Sequence, residues 1–359
     1  MEPTTSPASE RLLLPGFADL HLHADRAFLR GPRRASSLAD AVAMSSELRS
    51  VQSRDDFRRR ARRLFERAVS SGTVRVRSHV DVDDGVDLRA VAGVVAARAD
   101  LSRRLRVEIV AFANAALDPA TARGRGRLEA ALAGGADLLG GAPALHPDPS
   151  ASLDALLDLC SAHGVGADLH IDEHLDRRRF LLEHLADGVI SRGLEGRVTA
   201  SHCCALVALP PAVVRRTLSK LVAAKMTIIT LPSQNLFLQD RSDATPARRG
   251  VTLVRELVDA GVPVRLGSDN VQDVFYPYGD ADLLETAFVA SLATHLEDER
   301  VLLAAIADGR GVPRAGEAAD LVVVEGSSLR EALARKPDRR IVLNAGRVVS
   351  LGRAPRRGD

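Results

Sequence analysis

The sequence predicts an α/β fold, a (β/α)8 TIM-like barrel followed by a small β unit, and three observations support this prediction. Short β-rich runs alternate with longer helical patterns eight times between residues 12 and 294, which is typical of a barrel with parallel crossovers. Polar residues collect where the predicted strands end, as they do in barrel enzymes. The alternation then stops, and the chain after residue 318 is again rich in β-branched residues.

The eight predicted strands are short apolar runs bounded by polar or turn-forming residues. They cover residues 12–23, 73–82, 105–114, 136–140, 166–172, 197–202, 226–231 and 262–268. The helices predicted between them cover residues 38–70, 88–103, 126–133, 152–163, 176–192, 210–223, 251–260 and 281–294. Two further runs, 319–324 and 341–349, predict strands outside the barrel, and the second run contains an Asn-Ala-Gly turn.

These elements divide the 359 residues into predicted segments. The segments are an N-terminal segment 1–14, the barrel 15–310, a C-terminal small β unit 311–352 and a tail 353–359. A chain of this length can bury a complete barrel core.

Composition excludes several classes of function. The formal net charge is +2 and aromatic residues make up 3%, so the basic surface with interleaved aromatics that nucleic-acid binding uses is missing. Apolar runs stay short of the roughly 20 residues of a membrane span, and residues 1–9 do not resemble a signal peptide. The three cysteines form no CxxC pair or disulfide framework. We therefore expect a cytoplasmic homo-oligomer that binds neither nucleic acid nor membrane.

The first predicted strand ends in a metal-binding pattern. His21 and His23 are two residues apart, so their side chains point to the same face of a strand and can hold one metal ion. A barrel brings its strand ends onto one rim, and the other polar strand ends carry His79, Asp81, Asn114, His170, Glu173, His202, Asp269 and Asn270. From this set His21, His23, His170 and Asp269 supply the ligands of a catalytic zinc or ferrous site.

Two further residues on this rim have the chemistry that a hydrolytic metal site needs. A metal ion lowers the pKa of water, but a proton must still be carried to the leaving atom. Glu173, three residues after His170, is placed to carry it. His202 is placed to hydrogen-bond the hydroxide or the developing oxyanion.

The chain resembles the amidohydrolase superfamily and, within it, the cytosine deaminase branch, which includes enzymes that remove alkylamines from triazine rings. The segments that carry the resemblance are PGFADLHLHAD (15–25), SHVDV (78–82), HIDE (170–173), TASH (199–202), QNLFLQDRSDATPARRG (234–250) and GSDNVQDVFYPYG (267–279). They occur in the family's order and span nearly the whole barrel. A lone HxH would be a weak signal, but this ordered set is a strong one.

The resemblance implies a role for each matching residue. His21, His23, His170 and Asp269 match the family's metal ligands, and Glu173 matches its proton shuttle. His202 matches the histidine that faces the hydroxide, and Asp269 has a second duty in accepting a proton from the attacking water. The binuclear members use a carboxylated lysine, whereas Lys220, Lys225 and Lys336 all lie away from strand ends. We therefore expect one divalent ion, Zn²⁺ or Fe²⁺.

The chain departs from the branch at positions that contact the substrate. Asn114 stands where cytosine deaminases carry a substrate-reading glutamine, Asn270 replaces an aspartate, Ser268 a histidine and Phe275 a tryptophan. We expect Asn114, Phe112, Asn270 and Phe275 to bind the substrate, and a substrate other than cytosine. Only fourteen residues precede Pro15, so we expect the family's accessory β-sandwich to be reduced to its C-terminal part.

The function expected from these features is hydrolysis of a C–N bond in a small nitrogen heterocycle, most simply deamination of a cyclic amidine. The same machinery would hydrolyse an N-alkylamino group or a cyclic amide. A barrel that binds a small molecule without catalysis is the alternative of another class, and the presence of every expected ligand together with Glu173 argues against it.

Overall fold

The computed structural model of the protein describes residues 10–239 and 249–353. The strands in chain order are β1 (Arg11–Pro15), β2 (Phe17–Leu22), β3 (Thr73–Val82), β4 (Arg106–Ala113), β5 (Leu138–Gly141), β6 (Ala167–Ile171), β7 (Val198–His202), β8 (Thr227–Thr230), β9 (Val264–Leu266), β10 (Leu321–Glu325), β11 (Arg339–Asn344) and β12 (Arg347–Arg353). The helices are α1 (Leu38–Ser50), α2 (Arg54–Ser70), α3 (Arg89–Asp100), α4 (Ala122–Ala133), α5 (Pro149–His163), α6 (Leu182–Ser191), α7 (Pro211–Ala223), α8 (Pro232–Leu238), α9 (Val254–Asp259), α10 (Leu283–Thr294), α11 (Glu299–Ile306) and α12 (Leu329–Arg335).

Strands β2 to β9 form the predicted barrel. They are hydrogen-bonded in chain order, and every neighbouring pair is parallel. A parallel bridge between Leu22 and Asp269 brings the two edges of the sheet together, and the N–H of Asp269 donates to the carbonyl of His21 at 2.9 Å. The fold class is therefore confirmed. The contact that closes the barrel joins the end of β2 to Asp269, which follows β9.

Two predicted elements are wrong as single units. The strand predicted over 12–23 is β1 and β2, separated at Gly16, where a side chain would come within 2.8 Å of Val74. The helix predicted over 38–70 is α1 and α2. The second helix begins at its own capping box, in which the side chains of Ser53 and Asp56 each accept a bond from the other's backbone N–H. Helices α8, α11 and α12 lie outside the predicted helices.

A small antiparallel sheet lies beside the barrel, in the strand order β1-β10-β11-β12. Strand β1 pairs with β10 along its whole length. The expectation that this unit comes only from the C-terminal part of the chain is therefore wrong, because an N-terminal strand supplies one edge. The division of the chain at residues 14 and 310 stays a prediction.

A buried ion pair holds the small sheet against the barrel helices. Arg340 of β11 donates to both carboxylate oxygens of Asp282 at 2.8 and 2.6 Å, and it also bonds the carbonyl of Ser71 at the end of α2. Breaking a buried pair of this kind typically costs about 3–5 kcal/mol because one charge is left without a partner. Among the described helices, none is long and apolar enough to cross a membrane.

Candidate active site

Four side chains predicted as metal ligands meet at the carboxyl ends of the barrel strands. His23 Nε2 lies 3.2 Å from His170 Nε2 and 3.4 Å from Asp269 Oδ1, and His21 Nε2 lies 3.8 Å from the same oxygen. All four residues are buried. Three imidazole nitrogens and one carboxylate oxygen at such distances have the composition of a catalytic metal site.

The hydrogen bonds around His21 leave one ring nitrogen free for a metal ion. Ser201 Oγ donates to Asp168 Oδ1 at 3.0 Å and lies 2.8 Å from His21 Nδ1. The serine proton is thus committed to Asp168, and the serine oxygen accepts from Nδ1. His21 Nε2 is buried without a hydrogen-bond partner among the described residues, which is the state expected of a ligand atom. The residues present therefore fit a metal ion.

Burial keeps the histidine ligands neutral. It lowers the pKa of His21, His23 and His170 well below the usual value, and the neighbouring charged groups lower these pKa values further. A histidine must be neutral to bind a metal ion. The three histidines are therefore ready to bind a metal ion at neutral pH without first losing protons.

The backbone is strained where it carries two of the site residues. Asp269 has a φ of 59° and His202 a φ of 68°, values in the left-handed region that residues other than glycine rarely adopt. Such strain persists only where the surrounding structure imposes it, and it concentrates at functional sites. Here it turns the chain at the ends of two barrel strands toward the cluster.

Glu173 and His202 lie next to the ligand cluster. His202 Nε2 is 3.8 Å from Glu173 Oε2 and 4.0 Å from Asp269 Oδ2, while His202 Nδ1 lies 3.1 Å from the Asn235 amide nitrogen. Burial raises the pKa of Glu173 to about 8, against a smaller lowering by Arg26. A carboxyl group with such a pKa can both give and take a proton near neutral pH.

A cavity of about 310 Å³ opens onto His170 and Glu173, a size at the lower end of the range for small-molecule sites. Its walls are largely apolar and come from α1, from the carboxyl-terminal parts of β3, β4 and β6, and from the loops after β2, β4, β5, β6 and β9. The lining residues are Arg26, Leu38, Val42, Ala43, Ser45, Ser46, Arg49, Asp81, Phe112, Asn114, Ala115, Ala116, Ala142, Ala144, Leu145, His170, Glu173, His174, Arg179 and Phe275. A flat ring next to the ligand cluster would lie among these residues.

Three of the four predicted substrate-binding residues line this cavity. Phe112, Asn114 and Phe275 are in its wall, whereas Asn270 is not, and its amide donates to Asp273 Oδ2 at 2.6 Å. Phe275 also packs under the guanidinium of Arg26, whose Cζ is 4.9 Å from the ring centre. Phe112, Asn114 and Phe275 thus line the cavity, and Asn270 is not among its lining residues.

The side-chain amide of Asn114 is already hydrogen-bonded within the protein. Its amide nitrogen donates to Asp83 Oδ2 at 2.6 Å and to Asp81 Oδ2 at 3.1 Å, and its oxygen accepts the N–H of Ala116 at 2.9 Å. Both amide protons are therefore used within the protein. Recognition of the substrate by Asn114 stays a prediction. In the structure, its amide group hydrogen-bonds two buried carboxylates.

Those carboxylates belong to a buried charge network that sequence reasoning missed. Arg26 donates to Asp81 Oδ1 at 2.6 Å, and Arg49 of α1 reaches Asp81 Oδ2 at 2.7 Å and Asp83 Oδ2 at 3.5 Å. Arg49 is buried although its helix is rich in polar residues, and no sequence pattern distinguishes it. Ser201 and Asp168 were also missed, although Ser201 lies within the TASH segment.

Comparison with known proteins agrees with this geometry. The chain is 33% identical to the pterin deaminase of Rhizobium rhizogenes, over 94% of this chain and 80% of that protein. It is 26% identical to the N-isopropylammelide isopropyl amidohydrolase of Pseudomonas sp., over 95% of this chain and 87% of that protein. The crystal structure of 5-methylcytosine deaminase from Klebsiella pneumoniae, liganded with phosphonocytosine, superposes with a TM-score of 0.87 at 28% identity, covering 95% of this chain and 87% of that one.

The barrel fold is thus shared with the deaminase structure along nearly the whole chain. Residues 43–350 match the family described as Amidohydrolase family. That match covers well over half of the 359 residues. The chain therefore belongs to the amidohydrolase family.

Proposed function

We propose that this protein is a metal-dependent deaminase of an amino-substituted nitrogen heterocycle. The observation that carries the proposal is the convergence of His21, His23, His170 and Asp269 at one end of the cavity, with Glu173 beside them. These are the components of a hydrolase that attacks a ring carbon with water. The family membership of the chain supports the same reaction class.

The four ligands would hold one divalent ion, Zn²⁺ or Fe²⁺. Imidazole and carboxylate donors suit both ions. When bound, the ion supplies Lewis acidity, which lowers the pKa of water and polarises the group that is attacked. A single ion is proposed because the ligand set contains no lysine.

The residues around the ligands have distinct tasks in proton transfer. Asp269, beside the ligand histidines, accepts the proton of the attacking water. Glu173 carries a proton to the ring nitrogen and then to the departing amine, and its raised pKa of about 8 suits that exchange. Neutral His202, with its pKa lowered to about 3 by burial, donates from Nε2 to the oxygen that develops charge.

We further propose that the substrate is a pterin-type fused heterocycle. The relative that is 33% identical is a pterin deaminase. Phe112 and Phe275 place aromatic rings in the cavity wall, where a planar ring can pack against them. Another relative is an N-isopropylammelide isopropyl amidohydrolase. Removal of an alkylamine is therefore the competing reaction.

The test is a substrate panel on protein loaded with one equivalent of zinc or iron. Pterin, cytosine, aminotriazines and N-isopropylammelide are compared by kcat/KM, with ammonia and isopropylamine measured separately. We expect ammonia release from pterin to rank first. Isopropylamine as the best product would favour the competing reaction, and no turnover of any compound would overturn the proposed function.

A further inference from the structure

Helix α1 forms part of the cavity wall and lies apart from the main hydrophobic core. It contributes six of the residues that line the cavity, namely Leu38, Val42, Ala43, Ser45, Ser46 and Arg49. Among the described residues, no side chain of α1 belongs to the large apolar cluster of the barrel. Its buried apolar side chains, Ala41 and Met44, belong to a small separate cluster. The helix therefore depends on a few contacts to stay against the cavity.

The small cluster attaches α1 to segments outside the barrel strands. It joins Ala41 and Met44 to Leu238 of α8 and to Val274 and Phe275 of the loop after β9. Apolar contacts of this kind are non-directional, so they favour association without fixing how α1 is placed against the cavity. A directional bond to the barrel is needed to fix it.

Arg49 makes a directional bond to the barrel. Its guanidinium lies 2.7 Å from Asp81 Oδ2 and 3.5 Å from Asp83 Oδ2, and Asp81 is part of β3. Within residues 10–239 and 249–353, no other side chain of α1 pairs with a barrel strand. Arg49 and both carboxylates are buried, so salt screens this ion pair much less than a pair at the surface.

The carboxylate of Asp81 also holds a second part of the cavity wall. Arg26 donates to Asp81 Oδ1 at 2.6 Å, so the two oxygens of Asp81 bind arginines from two different segments. The Cζ of Arg26 lies 4.9 Å from the ring centre of Phe275, and Phe275 packs in the small cluster with α1. These contacts link α1, Asp81 and Phe275 in a closed ring around one side of the cavity.

We infer that Arg49 is a positioning residue for substrate binding, because its ion pair with Asp81 holds α1 against the cavity. The inference rests on the proposed function, since the ligand that this wall contacts is the proposed heterocycle. Without the pair, the end of α1 is still fixed by Arg89, which donates to the carbonyls of Ser50 and Gln52 at 3.2 and 2.7 Å. The rest of the helix then leaves the cavity more often, and a smaller closed fraction means weaker substrate binding.

Hydrogen–deuterium exchange of the zinc-loaded protein measures this opening without a substrate. We expect Arg49→Met to speed exchange of the α1 amides by about 10- to 100-fold, the loss expected for one hydrogen bond between charged groups. Exchange in β3 should stay within about threefold of the wild type. Arg49→Lys, which keeps the charge, should recover part of the protection. Unchanged exchange in α1, or an equal increase in β3, would overturn the inference.

Arg58→Met is the matched control. Arg58 of α2 pairs with Asp100 at 2.6 Å and does not line the cavity, so its loss removes an arginine ion pair elsewhere and should leave exchange in α1 unchanged. An increase in α1 as large as that of Arg49→Met would overturn the inference, because the effect would then be general. If Arg49→Met is unstable, the same comparison is made with Arg49→Gln.

Pterin binding connects the opening of α1 to the substrate. Pterin fluorescence is titrated with Glu173→Gln and with Glu173→Gln/Arg49→Met, neither of which needs to turn over. The double variant should bind pterin at least about threefold more weakly, and Arg49→Met alone should raise KM more than it lowers kcat. Equal binding by the two proteins would overturn the role of Arg49. Binding by neither would overturn the proposed pterin substrate, and the exchange of α1 would still decide the inference.

Discussion

The two ends of the cavity are built differently. At the ligand end, His21, His170 and Asp269 come from barrel strand ends, and a chain of bonds through Ser201 to Asp168 orients the first of them. At the other end, the wall comes from α1 and from loops, and its side chains are mostly apolar. Paired strands hold the ligand end, whereas the substrate end depends largely on α1 and on loops.

This difference explains where the sequence resemblance holds and where it fails. Barrel enzymes keep their chemistry at the strand ends and change their substrates through the loops. The residues proposed to bind metal and carry protons accordingly lie in the segments that resemble the family, while Asn114 and Phe275 lie in the wall of the cavity. The following predictions test whether the two ends act as separately as this comparison implies.

The largest effect is expected from loss of a ligand. His170→Ala removes one of the four metal-binding side chains, so metal content should fall well below one equivalent and turnover should fall to background. Elemental analysis of purified protein measures this directly. His184→Ala, on an exposed face, is the control and should keep its metal. A full equivalent in His170→Ala would show that His170 is not a ligand.

Glu173→Gln should separate chemistry from binding. The amide keeps the shape of the side chain but cannot carry a proton, so kcat should fall by about 10² to 10⁴. Metal content and the melting temperature should stay near those of the wild type. Turnover within a few fold of wild type would assign proton transfer to another residue.

Ser201→Ala tests whether the hydrogen bond between Ser201 and His21 orients this proposed metal ligand. Without the hydroxyl, His21 Nδ1 loses its partner at 2.8 Å, and metal affinity should weaken by about 10- to 100-fold. Competition with a chelator measures the affinity, and Ser191→Ala on α6 serves as the control. An unchanged affinity would mean that barrel packing alone orients His21.

Asn114→Ala should produce the smallest effect on activity. Removing the amide takes one donor from each of Asp81 and Asp83, which keep their arginine partners, and we expect a cost of about 1–3 kcal/mol in the free energy of unfolding. KM for pterin should change by less than about tenfold, because the protons of Asn114 already bind the protein. Denaturant unfolding and steady-state kinetics give the two values. A large rise in KM at unchanged stability would instead show that Asn114 contacts the substrate.

The sequence by itself determined the barrel and predicted the ligand set that is proposed above. Strand and helix periodicities differ, so eight alternations were visible along the chain, and the bounds predicted for the second strand, 73–82, are those of β3. His21 and His23 were recognisable because a spacing of two places both on one face of a strand. Glu173 was recognisable from its position in the HIDE segment.

Only the tertiary structure decided which side chains are free to meet a substrate. The pairing of β1 with β10 and the contact of Asp269 with His21 join residues hundreds of positions apart, and no local pattern encodes such contacts. The same is true of Arg49, which reaches Asp81 from another element. Whether a buried polar group such as Asn114 has a partner depends on distances of a few tenths of an ångström, and only the packed molecule sets those distances.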